Sequence, residues 1–169
     1  MFKIRNLLNL FRDDRKGIDK DNHYNIVENI PKLVIIEELN IDSVIGKKII
    51  DLHFRYELLG WIDYFETFLT LETGQIITLP VQNLDRVSVI NLPPKTGKFT
   101  KDTEIKIIGQ KITNFHSEFE GDEMLTEYSK FIELENGFYI RELNMNPQGT
   151  GLATLYLLTE QEFKNITKD

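Results

Sequence analysis

Two histidines and the acids around them are the residues of this chain best suited to chemistry. His53 lies two positions after Asp51 and four before Glu57, and His116 stands in the same relation to Asn114 and Glu120. An imidazole beside a carboxylate suits proton transfer near neutral pH, and two such pairs could ligate a transition metal. The spacing matches no established metal motif, so no metal and no other cofactor is expected. His53 and His116 would become a site only if the fold made them converge. The competing expectation is structural, because polar residues repeated at strand positions commonly pair or cap.

The shared spacing is part of a longer repeat. Ile45 to Ile77 returns without a gap 63 residues later as Ile108 to Ile140, with 11 identities in 33 positions, where background composition would give roughly two. The identical pairs include Gly46 with Gly109, Lys48 with Lys111, Ile49 with Ile112, Phe68 with Phe131, Leu71 with Leu134 and Gly74 with Gly137. Others exchange like for like, such as Leu52 with Phe115 and Leu69 with Ile132. A duplication constrains architecture strongly and chemistry weakly.

Each copy reads as β structure. Ile50, Leu52, Phe54 and Tyr56 alternate with Asp51, His53 and Arg55, the period of a strand. Phe65, Leu69 and Leu71 fall on one face of a second strand, with Glu66, Phe68, Thr70 and Glu72 on the other. Thr73-Gly74 and Asn136-Gly137 occupy hairpin turns where glycine supplies positive φ. Further strands over Arg86–Asn91 and Leu152–Leu158 complete a four-stranded meander in each copy, and Lys32–Glu38 could add an edge strand. Thr159 followed by Glu162 is a capping box that opens a short C-terminal helix.

The resulting expectation is a mainly β fold, α+β only at its termini, in one domain of two repeats. An N-terminal helix over 1–16 precedes repeat 1 at 32–92. A proline- and glycine-bearing surface linker at 93–102 leads to repeat 2 at 103–158, and a helix over 159–169 follows. Two meanders with one apolar face each must stack as a sandwich or partial barrel with pseudo-twofold symmetry to bury those faces.

Charge narrows the partners. The 169 residues carry a formal net charge of −7, which disfavours non-specific nucleic-acid binding and favours a basic protein partner. No run approaches the ~20 apolar residues of a membrane span, Arg5, Asn6, Asn9 and Arg12 interrupt the continuous apolar stretch a secretory signal needs, and the absence of cysteine suits a reducing compartment, so a cytoplasmic protein is expected. The acids concentrate in the second copy, where Glu118, Glu120, Asp122, Glu123 and Glu127 surround the Gly121–Met124 loop. The equivalent loop of the first copy is apolar and holds the only tryptophan, Trp61. An acidic loop and a tryptophan would give a steering field and an anchor for a basic protein. The glycine-rich Asn146–Gly151 stretch leads into a strand pattern, unlike a phosphate loop, which opens a helix. No GxSxG, P-loop, HExxH or dinucleotide fingerprint is present.

The phrases IGKKIIDLHFRYE, FIELENGFYIREL and NPQGTGLATLYL resemble small uncharacterised bacterial proteins found among polymorphic-toxin immunity proteins. The resemblance implies a non-enzymatic inhibitor that masks the active site of a toxin, and it carries no catalytic residues across. Glu118, Glu120, Asp122, Glu123, Glu127 and Trp61 are the expected partner-binding residues. The alternative expectation is a small-ligand or metal-binding protein, or an enzyme, with its site near His53 and His116.

Overall fold

Each repeat enters its first strand through the same local device. A short helix ends, a glycine takes positive φ, and the chain turns into a strand. In the first repeat the helix is α1 (Ile41–Val44) and the glycine is Gly46, at φ 83°. In the second the helix is α2 (Lys101–Ile107) and the glycine is Gly109, at φ 89°. Glycine is favoured at such a helix C-terminus because a Cβ would strain the left-handed backbone. These positions belong to a computed structural model that describes residues 33–59, 62–81, 85–117, 130–143 and 154–166. The helix expected over 1–16 lies outside the described residues.

The fold is mainly β, with two antiparallel sheets. The first has the order β1-β5-β4-β3-β2-β6, built from β1 (Ile35–Asn40), β2 (Ile49–Leu59), β3 (Ile62–Leu71), β4 (Ile76–Leu79), β5 (Arg86–Ile90) and β6 (Gly97–Lys98). The second has the order β10-β9-β8-β7, from β7 (Ile112–His116), β8 (Phe131–Leu134), β9 (Phe138–Leu143) and β10 (Thr154–Thr159). The runs β2 to β5 and β7 to β10 are the two meanders. Helix α3 (Glu160–Ile166) follows β10, and its capping box is formed: the Thr159 N–H donates to Glu162 Oε2 at 2.8 Å, and the Glu162 N–H to Thr159 Oγ1 at 3.3 Å.

The two repeats meet at a crossing of backbone. Lys48 and Lys111 face each other in an antiparallel bridge. Around them the Gly46 N–H donates to Ile112 O and the Gly109 N–H to Ile49 O, both at 2.7 Å. The Ile49 N–H donates to Gln110 O at 2.9 Å, and the Ile112 N–H to Lys47 O at 3.0 Å. Each bond becomes its partner when 63 is added to one residue and subtracted from the other.

Beside the crossing lies one buried cluster drawn from both sheets. Val44, Ile49, Leu52, Leu69, Leu71 and Ile77 of the first repeat join Ile107, Ile112, Ile132, Leu134 and Ile140 of the second. Burying each such side chain contributes roughly 1.5–3 kcal/mol, which is what keeps either sheet from presenting its apolar face to water.

Simple alternation fails at the start of both first strands. The β2–β3 register shifts between Ile49 and Asp51, and the β7–β8 register shifts between Ile112 and Asn114. The extra residue of such a bulge turns the side chains that precede it to the opposite face. Ile49 and Leu52 therefore both face the core, opposite Leu71 and Leu69, whereas Ile50 is exposed. Tyr56 is also exposed, while Arg55, Glu66 and Phe68, expected on the outer face, are buried there. Part of the stretch read as a plain linker is structured: β6 pairs with β2, and α2 begins at Lys101.

Gly97 of β6 sits beneath the Phe54 ring, so close that a Cβ would lie 2.5 Å from Cζ. Phe54 in turn stacks on Phe65 at 5.3 Å and meets Phe99 edge-on at 5.0 Å.

The bulge makes adjacent isoleucines unequal. Ile49→Ala is expected to cost about 2–5 kcal/mol in urea unfolding, and Ile50→Ala less than about 0.5 kcal/mol. Equal costs would contradict the register.

Candidate functional site

The structure places the two histidines apart. Antiparallel strands leave the Lys48–Lys111 bridge in opposite directions, so β2 carries His53 and β7 carries His116 away from each other and into different sheets. No group of three or more metal-capable His, Asp or Glu residues occurs among the described residues. The convergence required for a single two-histidine site is absent from this geometry.

Each imidazole is instead built into its own sheet. His53 lies opposite Phe68 on β3 and Lys98 on β6. Its Nε2 is 2.9 Å from Asp51 Oδ2 and its Nδ1 is 3.0 Å from Thr96 Oγ1. Lys98 Nζ also donates to Asp51. Burial acts to raise the Asp51 pKa, but hydrogen bonds from Lys98, His53 and the Leu52 N–H overcome it and hold the group at about 2. Asp51 is therefore a carboxylate at neutral pH and accepts from Nε2–H. In the neutral ring Nδ1 is then free to accept the Thr96 hydroxyl proton.

Carboxylate, imidazole and hydroxyl in a row are an order of groups that can move a proton. Thr96 lines a shallow open groove of about 510 Å³ with Phe54, Tyr56, Pro94, Lys95 and Gly97. The three groups also do a mechanical job. Together with the Gly97–Phe54 and Lys98–His53 register they hold the segment between the repeats against β2.

In the second repeat the same position is satisfied differently. His116 lies opposite Phe131, as His53 lies opposite Phe68, but its Nε2 is 2.7 Å from Glu133 Oε2 on β8. Asn114 and Glu133 form a cross-strand pair, and so do their equivalents Asp51 and Thr70. One carboxylate thus remains beside each imidazole, on opposite members of the pair. Phe163 of α3 closes over this face: its ring stacks on Tyr139 at 4.0 Å and lies 5.2 Å from His116. Burial, with Glu133 and Glu160 nearby, raises the Tyr139 pKa.

Farther along β2 and β3 lies a polar cluster that nothing local in the sequence marks. The Arg55 Nε donates to Glu66 Oε2 at 2.8 Å, Tyr64 donates to Glu66 Oε1, and the Arg55 guanidinium lies 5.6 Å from the Tyr64 ring centre. Burial raises the Glu66 pKa against the opposing effects of Tyr64 and Arg55, and burial with the Glu66 hydrogen bond raises that of Tyr64. Removing one member of such a buried pair would leave its partner's charge uncompensated, which is strongly destabilising. Glu142 of β9 is buried beside Thr67 of β3, and burial raises its pKa well above 4.5 despite the Thr67 contacts.

Glu118, Glu120, Asp122, Glu123, Glu127 and Trp61, together with the Asn146–Gly151 loop, lie outside the described residues. The residues that sequence reasoning missed are Thr96, Lys98, Glu133, Arg55, Glu66, Tyr64 and Glu142. All are ordinary polar residues whose roles depend on strand pairing. Comparison with protein families, with curated proteins and with solved structures finds no match to this chain.

Two measurements follow from this geometry. If Thr96 and His53 act as one clamp, Thr96→Val and His53→Asn each lower stability by about 1 kcal/mol, and the double variant loses less than the sum. Additive losses would deny the contact. For Glu142, the unfolded chain releases its proton near 4.5, whereas the fold retains it to higher pH. The unfolded state then binds fewer protons, and stability falls as pH rises between the two values. The stability of Glu142→Gln relative to the native protein is expected to rise with pH between those two values, and a difference independent of pH there would contradict it.

Proposed function

We propose that the protein is a non-enzymatic binding module, an immunity-type inhibitor that neutralises a basic toxin by covering its active site. The observation that carries this reading is electrostatic. The chain holds a surplus of seven negative charges, while the two histidines lie in different sheets and do not form one site. Surplus charge of one sign speeds encounter with an opposite partner and selects against like-charged ones. The acidic residues of the second copy, with Trp61, supply the steering field and the anchor in this reading.

Tagged protein purified from its native cells at low salt is expected to carry a stoichiometric basic partner that high salt releases. Expression of that partner alone should arrest growth, and co-expression with this protein should restore it. Changing Glu120, Asp122 and Glu123 together to Lys is expected to weaken the complex by at least about tenfold, with little change in thermal midpoint. A protein that emerges alone at both salt levels would count against the reading.

A further inference from the structure

We infer that the outer edge of β1 receives an extended, basic segment of the partner as an added strand. This rests on the binding-module reading and specifies its mode. Among the described residues β1 ends the first sheet, paired with β5 on one side in a register that shifts between Ile35 and Glu37 and runs regularly from Glu37 to Asn40, and with no strand on the other. An edge strand carries a row of backbone donors and acceptors ready to pair with another chain. Three consecutive large apolar residues lie at its start: Val34 is 73% exposed, Ile35 53% and Ile36 56%. Glu37 and Glu38, both exposed, follow directly.

Those two acids decide the occupant. A second copy of β1 pairing antiparallel about this stretch would bring glutamates close to glutamates, and like charges across a strand pair are destabilising. A segment bearing Lys or Arg would face them favourably, and the net charge of −7 favours a basic partner in general. The Glu38 carboxylate already shows the preference locally, lying 3.9 Å from Arg86 of β5.

The other sheet edges are less suited. β6 is two residues long, β7 is tied at its start to the first repeat, and β10 runs into α3, whose Phe163 folds back on β9. β1 is also where the repeats part company. Positions 63 residues after β1 run from β6 into the first turn of α2, with Thr100 and Lys101 in place of Glu37 and Glu38. The strand therefore lies outside the repeated segment and has no matching strand in the second copy among the described residues.

The probe is a short synthetic peptide alternating lysine and valine, with a twin N-methylated at alternate residues so that one backbone edge cannot pair. The parent peptide is expected to bind saturably by fluorescence anisotropy and to slow amide hydrogen exchange within Ile35–Asn40. The twin should bind at least about tenfold more weakly. Ile36→Lys combined with Glu37→Lys, both at exposed positions, should abolish binding without shifting the thermal midpoint. Equal binding of the twin, protection confined to other strands, or no binding would each overturn the assignment. Capture of the cellular partner separates the two proposals: the native protein capturing none tells against the inhibitor reading, whereas equal capture by the double variant tells against the edge alone.

Discussion

The backbone crossing at Lys48 and Lys111 is the constraint on which the rest of the molecule depends. Four hydrogen bonds between the repeats converge within a few residues, and all are donated by Gly46, Gly109, Ile49 and Ile112. The two glycines have a double duty. Positive φ turns the chain out of α1 or α2, and the same turn aims each glycine N–H at the opposite repeat. A residue with a Cβ at either place would strain the helix exit and the joint together. The isoleucines continue the link inward, because Ile49 and Ile112 donate across the crossing while burying their side chains in the shared core. Backbone pairing and hydrophobic burial are thus coupled at the same residues.

Such a joint is self-complementary. Exchanging the repeats leaves its bonds unchanged, the property of an interface between identical subunits related by a twofold axis. The correspondence extends beyond the joint: the four positive-φ glycines Gly46, Gly74, Gly109 and Gly137 form two equivalent pairs, and fully buried Ile49, Phe68, Leu71 and Ile77 match Ile112, Phe131, Leu134 and Ile140.

The same identities made the architecture legible in sequence, since a repeat with period-two strands and glycine turns leaves few ways to bury two apolar faces. What was hidden has specific causes. A bulge adds one residue, so Ile50 looks like core and is not, and no residue type announces the slip. Helices as short as α1 and α2 hold too few turns for a 3.6-residue pattern to stand out. Arg55 reads as a surface residue until its cross-strand partner Glu66 is known. The histidines were recognisable as chemically able, but their partners were not. Thr96 lies 43 residues from His53, and the carboxylate beside His116 comes from β8 where the one beside His53 comes from its own strand.

That exchange of carboxylates bears on how the repeats have diverged. Asp51 with Thr70, and Asn114 with Glu133, each supply a single acid to an imidazole at an equivalent place. Either placement leaves one carboxylate within hydrogen-bond distance of the imidazole, so the ring's polar edge is satisfied on a half-covered face in both repeats. Divergence elsewhere follows the same division. Crossing, turns and core remain alike, while the outer surfaces separate in charge and in secondary structure, most sharply where exposed Val34, Ile35 and Ile36 have Gly97, Lys98 and Phe99 as counterparts. Matched backbone bonds join the two sheets at the crossing, while the strand content on either side of it differs, six strands against four among the described residues.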